Sequence, residues 1–206
     1  MTSPFVFFAH DRLSPAELSA ARLDGHLVEL GEGYLLADAV ETVAMRAASL
    51  APLLREHHAA SLLSAAWVHG AIDEPPARHT ACRANGHRRS EMSHPRVVVL
   101  ETTVDPADVV VYGDVRVTSA ARTLADLARA AVSDQRGLTR AARIAAQQMV
   151  SRALSSPEAA AESLKRSRRL PPGGRDALRF LAELEDGLLP RTVVSDGAPG
   201  QAEVTR

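Results

Sequence analysis

Four potential zinc ligands lie close together near the middle of the chain. His79, Cys82, His87 and His94 follow the pattern H-x2-C-x4-H-x6-H. Neutral imidazoles and a thiolate are ligands that zinc prefers, and four of them complete a tetrahedral site. The spacing matches none of the usual zinc motifs, however, and histidines set among arginines are more typical of a polar loop. We therefore predict no metal and no other cofactor, with zinc as the alternative.

Three carboxylates lie near the ends of predicted strands, where a metal-dependent nuclease places its ligands. They are Asp105, Asp108 and Asp114. Asp105-Pro106 and Gly113-Asp114 are also ordinary turn dipeptides, and no Glu-x-Lys pair follows in a strand. The chain contains no nucleophile elbow, Walker A motif or His-Glu-x-x-His sequence. We predict a protein that is not an enzyme, and a nuclease-related protein is the less favoured alternative.

The densest cationic run follows a predicted helix and consists of Lys165, Arg166, Ser167, Arg168 and Arg169. Cations at a helix C-terminus interact favourably with the helix dipole, so a solvated helix end is one interpretation. Guanidinium groups also bind phosphates and carboxylates in a bidentate manner. The run is therefore our first candidate for contact with DNA or with an acidic partner.

A charged ladder is predicted on the helix that begins after Ser119. Arg122, Asp126 and Arg129 lie at i, i+4 and i+7, a spacing that places them on one helix face. Such a ladder is typical of a solvated face, where Asp126→Ala should cost only ~0.5 kcal/mol. A much larger cost would mean that Asp126 is buried together with Arg122.

The elements of the N-terminal third are predicted from their start and stop signals. Ser14, Pro15 and Glu17 form a capping box with proline at the first helical position. Two short apolar runs then flank the turn 31–33, which indicates a hairpin. Because strand residues follow this turn and Glu32 would repel an anion, it is not a phosphate-binding loop. A helix followed at once by a hairpin is how a winged-helix module closes, although it is also a common α+β fragment.

The rest of the chain reads as helices and strands in mixed order. Apolar periodicity predicts a helix from about Val40 to Pro52 and another from about Ala59 to Val68. Two strands should lie between Arg78 and Glu101, followed by a hairpin turning at Gly113-Asp114. Further helices are expected from Ser119, from about Leu138, from Ser156 and over about 174–185.

The net charge of −1 results from a cancellation along the chain. Residues 1–60 contain 4 arginines and 8 acidic residues, whereas residues 136–186 contain 10 cations and 6 acidic residues. A single cysteine excludes an internal disulfide and fits a reducing compartment. The chain shows no signal peptide and no stretch of ~18 apolar residues. We therefore expect a cytoplasmic protein without a membrane contact.

Two segments carry a resemblance to a known family. Residues 108–129 read DVVVYGDVRVTSAARTLADLAR, and residues 64–70 read SAAWVHG. The valine-rich strand, the "V-T-S" and "R-T-L-x-D-L-A" sequence and the "S-A-A-x-x-H-G" helix resemble the signature of AbiEi-like antitoxins of type IV toxin–antitoxin systems. The resemblance covers roughly residues 14–170. Many such relatives come from actinobacteria, which agrees with a chain that has one lysine among its 24 cations.

The resemblance implies an α+β protein that represses its own operon by binding promoter DNA and opposes a nucleotidyltransferase-like toxin. It implies a winged-helix module, which in this chain is abbreviated (1–38), and an antitoxin domain ending in helices (39–186). The glycines and prolines that follow predict a disordered tail (187–206). In the module Arg12 and Arg22 are the cations available for phosphates, while Glu29 and Glu32 in the wing would be unfavourable there. Arg122, Thr123 and Asp126 are expected to fix the signature helix against the preceding hairpin. An antitoxin that binds protein but not DNA is the alternative.

Overall fold

The structure is a computed structural model that describes residues 5–84, 94–133, 136–166 and 170–188. The described residues form a mixed α+β fold whose last elements are helices, which confirms the predicted fold class. The helices are α1 (Pro15–Leu23), α2 (Val43–Ser49), α3 (Leu62–Val68), α4 (Ala120–Ala131), α5 (Arg136–Ser151), α6 (Pro157–Lys165) and α7 (Gly174–Leu188). The strands are β1 (Leu27–Leu30), β2 (Gly33–Leu36), β3 (His58–Ala60), β4 (His79–Arg83), β5 (Val97–Thr103), β6 (Val109–Tyr112) and β7 (Val115–Thr118). A short 3₁₀ turn, Pro106–Asp108, precedes β6.

Several helices begin at the capping residues that the sequence indicates. The backbone N–H of Ser14 donates to Glu17 Oε2 at 2.7 Å, and the N–H of Glu17 donates to Ser14 Oγ at 3.3 Å. Ser119 and Ser156 each accept a backbone N–H three residues further along at 3.2 Å. These side chains satisfy N–H groups that have no partner inside the helix, so the predicted helix starts are confirmed.

The predicted N-terminal hairpin is present, but a complete winged helix is not established. β1 and β2 are antiparallel, with Leu27 opposite Leu36 and Leu30 opposite Gly33. Within residues 5–84, α1 is the one helix that precedes this hairpin. The next helix, α2, begins at Val43 and not near Val40 because Thr42 caps it.

A five-stranded mixed sheet with the order β5-β4-β3-β7-β6 forms the centre of the molecule. β3 is the middle strand and pairs antiparallel with β4 and parallel with β7. β6 and β7 form the predicted hairpin, in which Tyr112 lies opposite Val115. The sheet therefore joins strands that are far apart in the sequence.

The helix predicted over 59–68 is wrong in its first part. Residues 58–60 form β3, and α3 begins at Leu62, whose φ of +48° lies in a region that residues other than glycine rarely adopt. Ala59 and Ala60 are fully buried between two partner strands. Alanine has the highest helix propensity, but propensity is small compared with tertiary interactions, and strand pairing on both sides outweighs it here.

Three clusters of buried apolar side chains surround the sheet. One packs α4–α7 against Leu62 and Ala66 of α3. The second joins the N-terminal hairpin to α2, α3 and one face of the sheet, with Trp67 near its middle. The third, on the opposite face, contains Ala59 and Cys82, because successive side chains of a strand point to opposite faces.

The side chains on both sides of the predicted boundary at residue 38 share one core. Phe8, Leu30 and Leu35 pack in the same cluster as Leu50 and Trp67. At the other end, α7 continues to Leu188, and residues 189–206 of the predicted tail lie outside the described residues. None of the described helices has the length and apolar character that crossing a membrane requires.

Candidate functional site

The two signature segments contact each other at the end of α3 and the start of α4. His69, at the C-terminus of α3, is hydrogen-bonded through Nε2 to the carbonyl oxygen of Thr118 at 2.7 Å. The Thr123 hydroxyl lies 2.7 Å from the Thr118 hydroxyl and donates to the Thr118 carbonyl at 3.1 Å. Burial lowers the pKa of His69, partly offset by the hydrogen bond to Thr118. The neutral imidazole of His69 therefore connects the signature segment 64–70 to the signature segment 108–129 through a hydrogen bond to Thr118.

An ionic network lies behind this contact and is centred on two carboxylates. Arg122 Nε donates to Asp126 Oδ2 at 2.9 Å, and Arg122 Nη1 lies 3.6 Å from Asp108 Oδ2. Arg129 Nη1 lies 3.5 Å from Asp126 Oδ1, and Arg166 Nη2 lies 3.2 Å from Asp108 Oδ1. The network thus connects α4 to the turn before β6 and to the end of α6.

The ladder is formed as predicted, but the expected solvated face is wrong. Arg122 is 9% exposed and Asp126 is 8% exposed. Burial alone would lower the pKa of Arg122, yet the neighbouring carboxylates of Asp126 and Asp108 raise it above its ordinary value. The face is buried because Asp108 and Ser163 cover it, and Ser163 donates to both Asp108 oxygens at 3.2 Å. Helical spacing carries no information about partners so distant in sequence.

A cleft of about 470 Å³ opens beside this network. Its floor comes from β4 and β5, and its walls come from α4, the start of α5 and the residues just before α7. Asp126 and Arg129 supply its charged groups, and Cys82 lines it from the sheet. Burial raises the pKa of the Cys82 thiol to about 12, so the thiol is neutral. Ser61 and Leu62 at the start of α3 also contribute, so the lining comes from six separate stretches of sequence, and for this reason no single motif could have indicated the cleft.

The predicted cationic contacts are placed in different surroundings. Lys165 is exposed at the end of α6, whereas Arg166 beside it is about half exposed and pairs with Asp108. Arg168 and Arg169 lie outside the described residues. Arg12 is exposed before α1, and Arg22 Nε lies 3.3 Å from Glu29 Oε1. Arg22 and Arg166 thus already have carboxylate partners.

The turn that would form the wing packs into the rest of the molecule. Arg96 Nη1 lies 2.7 Å from Glu32 Oε1, and the buried His79 lies 4.0 Å from the same oxygen. Gly31 has a φ of +57°, and a Cβ there would overlap Ser49 Oγ and come within 3.1 Å of the Trp67 ring. Glu32, whose carboxylate would be unfavourable beside a phosphate, is thus paired with Arg96 in the structure.

The potential zinc ligands that the structure describes do not form a common site. His79 and Cys82 are three residues apart on one strand and belong to opposite faces of the sheet. The Ser64 hydroxyl is 3.1 Å from His79 Nδ1, and Cys82 Sγ donates to the Ala59 carbonyl. His87 lies outside the described residues. Among the residues that the structure does describe, no group of three or more histidine, cysteine or acidic side chains could hold a metal ion.

The three carboxylates considered for a nuclease, Asp105, Asp108 and Asp114, lie in turns or in the ionic network. Asp105 Oδ1 accepts the N–H of Ala107 at 2.9 Å and caps the 3₁₀ turn. Asp108 is buried within the ionic network, and Asp114 lies in the β6–β7 turn. These surroundings favour the turn interpretation and bring the three carboxylates to no common site.

The site thus consists of a mixed sheet whose strand β7 is hydrogen-bonded to α4, a helix that carries the buried pair Arg122 and Asp126. The sequence model of the AbiEi antitoxin C-terminal domain matches residues 58–170, more than half of the chain. The protein therefore belongs to the AbiEi antitoxin family, and this domain supports an antitoxin-type role. The match begins at β3 and includes both signature segments and the cationic positions 165–169.

One similar solved structure is the crystal structure of the RV2827C protein from Mycobacterium tuberculosis. The two chains are 17% identical with a TM-score of 0.45, over 84% of this chain and 66% of that chain. This chain thus spans just under two thirds of the length of that protein. No curated protein matches the chain.

Proposed function

We propose that this protein is the antitoxin of a type IV toxin–antitoxin pair, that it opposes a nucleotidyltransferase-like toxin, and that it binds its own promoter DNA. The observation that carries the antitoxin part is the family match over residues 58–170. In support, the signature residues of this segment are engaged in a continuous set of buried contacts. Toxin and promoter are the partners that the AbiEi resemblance implies.

For the DNA part, the proposed contacts are the exposed cations at the end of α6 and around α1. Lys165 is exposed, and Arg166 retains exposed surface beside its ion pair with Asp108. A guanidinium has five donors, so Arg166 could bind a phosphate while still paired. Arg12 and Arg22 would add contacts from the N-terminal segment. Such contacts position a protein on the DNA backbone without reading its sequence.

A mobility-shift assay with the protein's own promoter region, repeated across a salt series, tests DNA binding. With about six phosphate contacts the affinity should fall roughly 10³-fold between 50 and 200 mM salt. Lys165→Gln should weaken binding. It should also reduce by about 1 the slope of the logarithm of the binding constant against the logarithm of the salt concentration. Arg55→Gln removes an exposed arginine outside the proposed surface and should leave the slope unchanged. No shift at low salt would overturn the DNA part.

One observation favours an antitoxin that acts without DNA. The turn of the N-terminal hairpin is packed against α2 and α3 and paired through Glu32, so it is not free to enter a groove. In that case co-expression with an adjacent toxin gene should restore growth in cells although the mobility shift is absent. If growth is not restored, the antitoxin part of the proposal fails as well.

A further inference from the structure

The cleft beside α4 combines an apolar lining with a small set of polar groups. Leu62, Leu100, Val132 and Leu138 contribute apolar surface, while Ser61 and Arg129 contribute hydrogen-bonding groups. Its volume of about 470 Å³ lies within the range of small-molecule sites, roughly 300–1,000 Å³. Pockets of this kind bury the body of a ligand and orient it through a few polar groups.

The charges around the cleft do not balance. Three guanidinium groups, those of Arg122, Arg129 and Arg166, share the carboxylates of Asp108 and Asp126. Asp126 is bound closely by Arg122 at 2.9 Å and only loosely by Arg129 at 3.5 Å. Arg129 is therefore the cation whose charge is least compensated, and it is the one that lines the cleft.

One buried polar atom of the lining has no partner among the described residues. Arg129 Nε is buried and finds no acceptor, although its side chain as a whole is 26% exposed. The nearby Ser61 hydroxyl, in a residue that is 1% exposed, interacts with the Cys82 thiol. Buried donors in proteins are almost always paired with protein, water or ligand. An unpaired guanidinium N–H at a cleft is suited to an oxyanion.

We propose that this cleft binds a small organic carboxylate whose charged group contacts Arg129 and whose apolar body lies between β5 and α5. The Nε edge of a guanidinium matches the two oxygens of a carboxylate. The ligand's single negative charge balances the excess charge of the network, and Ser61 offers a further hydroxyl deeper in the cleft. The neutral thiol of Cys82 adds no opposing charge, and the Asp126 carboxylate, which also lines the cleft, is already bound by Arg122 at 2.9 Å. This site goes beyond the antitoxin role, and its test involves neither DNA nor toxin.

Calorimetric titration of the full chain with octanoate and with octanamide tests the charge preference. The two probes have the same alkyl body and differ in charge, so octanoate should bind at least tenfold more tightly. Arg129→Gln should remove this preference and leave octanamide binding unchanged. Arg152→Gln, which changes an exposed arginine paired with Asp73, should keep the wild-type preference. Equal binding of the two probes, or a preference that survives Arg129→Gln, would overturn the proposal.

A second measurement guards against a variant that does not fold. In ¹H–¹⁵N spectra of the wild-type chain, the Arg129 Nε–H resonance, assigned from its loss in Arg129→Lys, should move downfield with octanoate but not with octanamide. Leu138→Trp, which puts a larger side chain into the lining of the cleft, should abolish both titrations while circular dichroism shows an intact fold. An Arg129 resonance that does not respond to octanoate contradicts the site.

Discussion

Asp126 lies between two guanidinium groups and is nearly inaccessible to solvent. A buried ion pair adds little to stability relative to an apolar pair, because desolvation of both charges offsets their attraction. Removing one partner is different, since the remaining charge stays buried without compensation. The stability of this region therefore depends on keeping both members of the Arg122–Asp126 pair.

We expect Asp126→Ala to lower the free energy of unfolding by about 3–5 kcal/mol, because it leaves Arg122 buried with only the more distant Asp108. Urea denaturation measures this loss. Asp176→Ala is the matched control, since Asp176 also pairs with an arginine three residues on but is more than half exposed. That control should cost less than ~1 kcal/mol. Equal, small losses in the two variants would contradict the buried network.

His79 makes stability depend on pH in the mildly acidic range. Burial, and to a lesser extent the charge of Arg96, lowers the pKa of His79 to about 4. Between about pH 6.5 and 4 the unfolded chain binds a proton at this histidine that the folded chain does not. Stability should therefore fall as the pH falls, by about 2 kcal/mol between pH 7 and 5 from this group.

Chemical denaturation at both pH values, compared with His79→Asn, isolates this contribution. The asparagine amide takes the place of Nδ1 facing the Ser64 hydroxyl but does not titrate. Between pH 7 and 5 the free energy of unfolding of the variant should therefore fall by about 2 kcal/mol less than that of the wild type. The same pH dependence in both proteins would assign the effect to other groups.

At the scale of elements, the N-terminal hairpin is held by its turn. Gly31 adopts φ +57° against Ser49 and Trp67, and Glu32 beside it pairs with Arg96. Only a residue without a side chain fits at Gly31, for reasons both of backbone conformation and of space. The contact orients the hairpin relative to α2 and α3.

We expect Gly31→Ala to destabilise the protein more than Gly25→Ala. Gly25 has φ +76°, but a Cβ there meets nothing within 4 Å, so its substitution reports backbone strain alone, about 1–2 kcal/mol. Gly31→Ala adds the overlap with Ser49. Thermal unfolding of both variants measures the difference, and adding Ser49→Ala to Gly31→Ala should recover part of it. Identical losses at the two glycines would mean that the turn is not packed as described.

The elements differ in how well local sequence predicts them. Some features depend only on residues that are close together in the chain, and these were predictable. They are the two hairpin turns and the helix starts at Ser14, Ser119 and Ser156. Strand β3 was not predictable, because Ala59 and Ala60 adopt a strand only by pairing with β4 on one side and β7 on the other. The spacing of Arg122 and Asp126 predicted their pairing. Their burial depends on Asp108 and on Ser163, which lies 37 residues or more away, and so no local pattern could reveal it.

For the whole molecule, the shared core predicts that the N-terminal segment does not unfold separately. Trp67 is the single tryptophan, 1% exposed, and lies in the cluster that joins the hairpin to the sheet. Its fluorescence reports this junction, whereas far-ultraviolet circular dichroism reports mainly the C-terminal helices. The urea midpoints from the two signals should coincide. A fluorescence transition at lower urea would indicate that residues 1–38 form an independent unit.

The arrangement of the middle strand also bears on how the protein is made. β3 needs β7 on one side, and 54 residues separate Ala60 from Val115. At roughly 5–20 residues per second, a ribosome takes roughly 3–11 s to add them. During that interval one edge of β3 has no partner within its own chain, and an unpaired edge is a template for pairing with another chain. The β6–β7 hairpin, which forms locally, ends this exposure. The rate at which residues 61–114 are translated therefore sets the interval in which nascent chains can aggregate.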